Sequence, residues 1–173
     1  MKFVFESVYD QQAVTAMARA LRKTVRKKHS RRSHIVGWVV VVLALALSFA
    51  TGESGFVVTG KTVFTWLVVL VMVVTLIWED AINGYFARKR ALPGTEHTST
   101  TFDAEGYLSS NAAGDTRWNY ENVLLVAEDA NYFVFVLNVN HAQVYDKRRM
   151  TGGTAGDFRA FIEDVTEKTV EKI

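Results

Sequence analysis

Between residues 35 and 78 the mixed apolar and polar texture of the chain gives way to two uninterrupted apolar runs. "IVGWVVVVLALALSFA" (Ile35–Ala50) and "TVFTWLVVLVMVVTLIW" (Thr62–Trp78) carry no charged residue. Both are rich in β-branched side chains, which also suits buried strands. Strands, however, usually stop after about 5–6 residues, and neither run has a break at that spacing. As a helix rising ~1.5 Å per residue, the first run reaches about 24 Å against a hydrocarbon core of roughly 30 Å. His34 on one side and Thr51 and Gly52 on the other extend it. The pattern predicts two membrane spans, over about 34–52 and 62–79, joined by the connector "TGESGFVVTGK" (Thr51–Lys61) into an antiparallel hairpin.

On either side of the hairpin the periodicity changes. In "KFVFESV" Phe3 and Phe5 alternate with polar or small neighbours, as in a short strand. After Asp10, a plausible N-cap, Val14, Met17, Ala18, Leu21 and Val25 recur at helical spacing, so residues 1–34 read as a strand followed by a basic amphipathic helix. Beyond the second span, Arg88–Arg90 and the Pro93-Gly94 turn mark the exit from the membrane. Residues 95–173 then have a β texture, with turns at Asp103–Gly106, Asp129–Asn131 and Asn138–His141. Tyr132–Val139 is too aromatic and β-branched for a helix. The chain closes with an amphipathic helix, where Thr154 and Asp157 have the spacing of a capping box and Phe158, Phe161, Ile162 and Val165 share one face. The expected fold class is a membrane protein of α+β type: a two-helix transmembrane hairpin plus a small cytoplasmic antiparallel β domain closed by a C-terminal helix. That β unit is short for an independent core, so the N-terminal strand is expected to add to its sheet.

Charge orients the hairpin. Eight of the 20 Lys and Arg lie between Arg19 and Arg32, and removing them from the net +2 leaves −6 for the remainder. Those eight lie directly before the first span, Arg88, Lys89 and Arg90 follow the second, and only Lys61 lies in the connector. The positive-inside rule places both termini in the cytoplasm of a bacterial inner membrane, with Trp38 and Trp78 near the same, inner interface. Glu79 and Asp80 read as solvated carboxylates at a helix end, paired with a nearby base. With no ionisable group inside either run, a channel or transporter is not expected. No signal peptide is expected either, because the first apolar run follows a stretch that itself reads as structured.

The basic segment Arg19, Arg22, Lys23, Arg26, Lys27, Lys28, Arg31 and Arg32 admits three readings. It is a topological flank, or an amphipathic surface that contacts anionic lipid at ~1 kcal/mol per basic group, or a nucleic-acid arm. The last lacks aromatic residues for base stacking, and no nucleic acid is expected as a partner. Lys147, Arg148 and Arg149 form a second basic group and a candidate partner surface.

Three stretches carry a resemblance: "RWNYENVLLVAEDANYFVFVL" (Arg117–Leu137), "AQVYDKRRM" (Ala142–Met150) and "GDFRAFIED" (Gly156–Asp164). With the layout of strand, helix, two-span hairpin and β domain, they resemble the YcxB-like family of bacterial membrane proteins. Where that family commonly has proline before its Lys, Asp146 precedes Lys147 here. The resemblance implies no enzyme activity, and a C-terminal domain similar in layout to pleckstrin-homology-like interaction modules.

Reactive chemistry is sparse. The chain has no cysteine, which excludes disulfides and thiolate chemistry, and His29, His34, His97 and His141 lack a metal-ligand spacing. No G-x-S-x-G elbow occurs. The glycine-rich "TGGTAGD" (Thr151–Asp157) could cradle a phosphate before a helix, yet it lacks the Lys-Ser/Thr of a P-loop. No cofactor, metal or catalytic residue is expected. The expectation is a non-enzymatic interaction or regulatory protein whose cytoplasmic domain binds a protein partner or the membrane surface. The alternative is an immunity or regulatory protein whose hairpin acts on a toxin or transporter, with Gly37, Thr65 and Thr75 offering close helix contacts. Expected partners are the lipid bilayer, with anionic lipid as one reading, and an unidentified protein; the oligomeric state is open between monomer and homo-oligomer.

Overall fold

Alternating residues at the N-terminus form a strand whose partners lie about a hundred positions downstream. The computed structural model describes residues 2–49, 57–91 and 93–173. Much of the connector (Thr51–Phe56) and the outer extension of the first span lie outside the described residues. In chain order the elements are β1 (Phe3–Val8), α1 (Gln11–Lys23), α2 (Lys27–Phe49), α3 (Gly60–Ile77) and α4 (Glu79–Lys89). They continue with β2 (His97–Phe102), β3 (Tyr107–Asn111), β4 (Gly114–Trp118), β5 (Leu125–Glu128), β6 (Tyr132–Asn138), β7 (His141–Asp146), β8 (Met150–Thr151), α5 (Ala155–Thr166) and β9 (Glu171–Lys172). The fold is α+β with two sheets, ordered β4-β3-β2-β1-β8 and β7-β6-β5-β9.

β1 pairs with β2 over its whole length, from Phe3↔Phe102 to Val8↔His97. Residues 1–34 are therefore not a unit apart from the C-terminal domain: β1 is an interior strand of that domain's first sheet. The chain leaves the sheet at Val8 and returns beside it at His97, so everything between is an insertion.

The core between the sheets is largely aromatic. Phe3, Phe5, Phe102, Phe133 and Phe135 meet Phe158 of α5, with Tyr107 and Tyr145 in the same cluster, and all are buried. Edge-on ring contacts such as Phe5–Phe158 at 4.7 Å and Phe102–Phe158 at 5.0 Å fill it. Burying such side chains stabilises a fold by about 1.5–3 kcal/mol each, and edge-to-face geometry adds to that. β6 explains its own uninterrupted apolar sequence. Phe133 and Phe135 face this core, whereas Val134 and Val136 face a second cluster with Ala13, Ala16 and Ala20 of α1. A strand covered on both sides cannot alternate.

Asp10 caps α1 by accepting from the Ala13 amide at 2.8 Å. The buried face of α1 is wider than the stripe its sequence suggests. It includes the alanines 13, 16 and 20 as well as Val14 and Leu21, because α1 lies between the second sheet and α4. α4 occupies the stretch that the sequence reads as a membrane exit. Its buried Gly84 lets the helices touch, since a Cβ there would stand 2.8 Å from Thr15 Oγ1 and 3.0 Å from the Thr15 amide nitrogen.

α2 and α3 are long and apolar enough to cross a membrane. Their sides meet at Gly37, where an added Cβ would lie 2.8 Å from Leu76 Cδ2, and at Trp66, whose Nε1 donates to Ser48 Oγ at 2.9 Å. Contacts of 37 with 76 and 48 with 66 define an antiparallel pair and put Trp38 and Trp78 at one level.

Candidate functional site

The place where span ends, connecting helices and sheets converge is built from opposite charges. Arg22 of α1 grips Asp80 of α4 in a two-pronged pair, Nε to Oδ1 at 2.6 Å and Nη2 to Oδ2 at 2.7 Å. Arg19 approaches both Asp80, at 3.9 Å, and Asp129 beyond β5, at 3.8 Å. His34 Nε2 lies 2.6 Å from Glu79 Oε2, tying α2 to the start of α4. Arg26, in the bend between α1 and α2, donates to the Val139 carbonyl at 2.6 Å and to Asn140 Oδ1 at 2.8 Å in the β6–β7 turn. Glu79 and Asp80 thus have basic partners, and three of the eight basic residues of the N-terminal segment hold the junction together.

The other five have no such duty. Lys23, Lys27, Lys28, Arg31 and Arg32 are exposed and, among the described residues, make no side-chain hydrogen bond or ion pair.

The second basic group divides similarly. Lys147 Nζ donates to the buried Glu128 carboxylate at 2.6 Å and to the Asp129 carbonyl, and lies over the Phe133 ring at 4.8 Å. Arg159 of α5 supplies two further bonds to Glu128, each 2.7 Å. Those bonds outweigh burial and hold the Glu128 carboxyl at about 2, well below the usual carboxylate range. Arg148 folds back on Asp146, whose carboxylate also accepts from the Arg148 amide and so shapes the 3₁₀ turn Lys147–Arg149. Of the three, Arg149 alone is exposed with no partner among the described residues. Lys147 is half-buried, with its ammonium group engaged by Glu128 and Asp129.

The glycine-rich Thr151–Asp157 segment also serves packing. Gly152 has a φ of +97° and sits where a Cβ would strike the Lys2 carbonyl oxygen at 2.2 Å. Asp157 accepts from the Thr154 amide at 2.8 Å, and Thr154 Oγ1 receives the Asp157 amide, a reciprocal capping box. The anion at this helix start is the chain's own carboxylate.

A groove runs beside the junction. One lobe of ≈ 730 Å³ lies between the free edges of β4 and β7 and is lined by Thr116, Trp118, His141 and Arg88. A second lobe of ≈ 610 Å³ continues towards the spans past Arg26, His29 and Phe86. Val14, Met17, Ala87 and Arg90 line both, so the two are one groove walled by α1, α4 and the sheets. Near its floor Gln143 Oε1 accepts from Tyr107 at 2.9 Å and from Tyr145 at 2.8 Å. Burial pushes both phenols upward, so they act as neutral hydrogen-bonding groups. His141 has no hydrogen-bonded carboxylate or hydroxyl among the described residues, and none of these residues form a group of three or more potential metal ligands. What the groove offers chemically is a half-apolar surface with cations at its rim.

This groove escaped the sequence reading because its walls come from three distant segments. One local signal was present: Glu79 and Asp80 followed nine residues later by Arg88 and Lys89 is the charge order that complements a helix dipole. Reading it would have revealed α4. No protein-family model and no curated protein matches the chain.

Proposed function

We propose that the protein is a non-enzymatic, two-span protein of the bacterial cytoplasmic membrane, with both termini in the cytoplasm. Its β domain takes up an acidic, partly apolar segment of a protein partner in the groove beside the junction. Four antiparallel strands in one sheet (β1–β4) and three in the other (β5–β7) ahead of the closing helix α5 support a pleckstrin-homology-like layout and fit the YcxB-like resemblance, with the two-residue strands β8 and β9 added at the sheet edges. Membrane residence is supported by the bareness of the hairpin: Leu47 is 74% exposed, Phe64 68% and Val71 64%. A continuous apolar surface of that kind is what lipid covers.

The observation that carries the reading is the make-up of the groove. Its walls are the sheet edges, α1 and α4, so its shape depends on how the span-derived helices dock on the β domain. Arg88 and Arg90 at the rim have no partner among the described residues, which favours an acidic occupant. The hairpin offers less to a partner span, because Gly37 already packs on Leu76. Thr65 and Thr75 hydroxyls bond back to Lys61 and Val71 carbonyls in their own helix.

Photo-crosslinking in intact cells tests this. A benzophenone amino acid replacing Thr116 or His141, inside the groove, should yield a discrete protein adduct, and one replacing Glu121 or Asp164, exposed elsewhere, should not. Adducts from all four positions, or from none, would overturn the groove as the binding site. Deleting residues 95–173 is a poor substitute, since it also strips β1 and α1 of their packing partners.

A further inference from the structure

The bend at Thr24–Arg26 separates α1 from α2, and beside it lies a concavity of ≈ 600 Å³ that borders the groove's second lobe at Arg22 and Ser30. Its upper rim is cationic, with Lys23, Lys27 and Arg31. Its lower wall is apolar, with Ile35, Trp38 and Val39. Arg22 and His34 also border it, but both are engaged by Asp80 and Glu79. The nearby carboxylates are therefore already engaged by groups of the chain itself, and Lys23, Lys27 and Arg31 have no acidic partner among the described residues.

Depth matches this division. Lys27, Arg31, Ile35 and Val39 follow at i+4 on α2, one face of a single helix. At ~1.5 Å rise per residue, Arg31 stands about 6 Å above Ile35 and Lys27 about 12 Å above it. The polar layer on each side of a bilayer is roughly 5–8 Å thick, from a total of ~40–45 Å around a core of ~30 Å. With Ile35 at the edge of the hydrocarbon, Arg31 lies at headgroup depth and Lys27 at its outer boundary.

We infer that this concavity is a binding site for one anionic phospholipid of the inner leaflet. The phosphodiester accepts hydrogen bonds from Arg31, Lys27 and Lys23, an acyl chain runs down Ile35 and Val39, and the Trp38 indole sits at the boundary between them. Lys28 and Arg32, equally basic and equally unpartnered, do not line the concavity. That contrast separates a built site from a generic positive flank. The inference rests on the membrane reading above but not on the groove or its partner.

The test uses the full chain, purified in neutral detergent, so that orientation plays no part. Binding of phosphatidylglycerol and of phosphatidylcholine with brominated chains is followed by quenching of Trp38, isolated by comparison with Trp38→Phe, and by native mass spectrometry. The wild type should prefer phosphatidylglycerol by at least fivefold. K27Q/R31Q should weaken phosphatidylglycerol about 30-fold, from ~1 kcal/mol per basic group, while K28Q/R32Q stays within about threefold of wild type. The charge-preserving K27R/R31K should retain the preference and shows that loss in the Gln variant is not misfolding. Equal affinity for the two lipids, or equal loss in both Gln pairs, overturns the site. Displacement by inorganic phosphate at matched concentration also overturns it, since the site would then read a soluble anion. Failure of the membrane reading looks different: the unmodified chain would be extracted from native membranes by carbonate washing.

Discussion

At the scale of single residues the clearest energetic statement concerns Glu128. It is 6% exposed, yet three charge-assisted hydrogen bonds from Lys147 and Arg159 surround it. Its folded-state value of about 2 lies below the usual value of 4.5. A depressed carboxylate contributes stability that is fully present above pH ~4.5 and is lost as pH falls towards 2, here roughly 3 kcal/mol. Glu128→Gln should therefore lower stability at pH 7 by about 3 kcal/mol, since it leaves Lys147 charged beside the Phe133 ring with its main partner gone. The wild-type and variant denaturation curves, followed by Trp118 fluorescence, should converge between pH 4.5 and 2.5. Curves that stay parallel across that range would show that Glu128 does not carry the acid sensitivity. The same environment explains why a Lys-Arg-Arg run that reads as a solvated patch contributes one residue to a half-buried ion pair and one to a local carboxylate clasp.

At the scale of elements the decisive contact is the crossing of α1 and α4. Gly84→Leu places a side chain against the backbone of Thr15, which a helix cannot move aside cheaply, so we expect a loss of about 1–3 kcal/mol. Limited proteolysis should then cut at residues 88–95 several times faster than in the wild type. Gly60→Ala, with nothing within 4 Å of its added Cβ, should leave the digestion unchanged. Equal digestion of all three proteins would mean that the crossing does not hold the junction. This element also marks how far the sequence could be read. The spans, the α1 cap at Asp10, the α5 capping box and the turns at Asp103 and Asp129 are local patterns, and the chain states them directly. The docking of α4, the alanine face of α1 and the parallel pairing of β9 with β5 depend on partners far along the chain. Small residues such as Gly84 and Ala16 show no hydrophobic period, so their packing value is invisible until the partner is known. The groove is illegible for the same reason. The five free cations were legible as charge but not as distinct from Arg19, Arg22 and Arg26, because only the fold reveals which carboxylates are near.

At the scale of the whole molecule, the proposed topology rests on two independent physical constraints. β1 and β2 pair residue by residue, so residues 3–8 and 97–102 must lie on the same side of any membrane that α2 and α3 cross. This requirement fixes an even number of spans without reference to charge. On the proposed reading charge then selects the side, through the eight basic residues from Arg19 to Arg32 ahead of the first apolar run and the three at the end of α4 against Lys61 alone in the connector. The cysteine-free chain makes the separation testable. A cysteine at Val58 should react with an impermeant maleimide in intact cells, and cysteines at Gln12 and Ala113 only after permeabilisation. Replacing Lys27, Lys28, Arg31 and Arg32 with Gln weakens the charge bias while leaving the sheet intact. The population should then split between two orientations, with part of the Gln12 and Ala113 signal appearing outside. Because strand pairing binds the two ends of the insertion, those two positions must switch together, in equal proportion. A variant in which Gln12 becomes accessible while Ala113 stays protected would show that β1 can part from its sheet in the membrane-inserted protein, and the coupling of hairpin to β domain would fall with it.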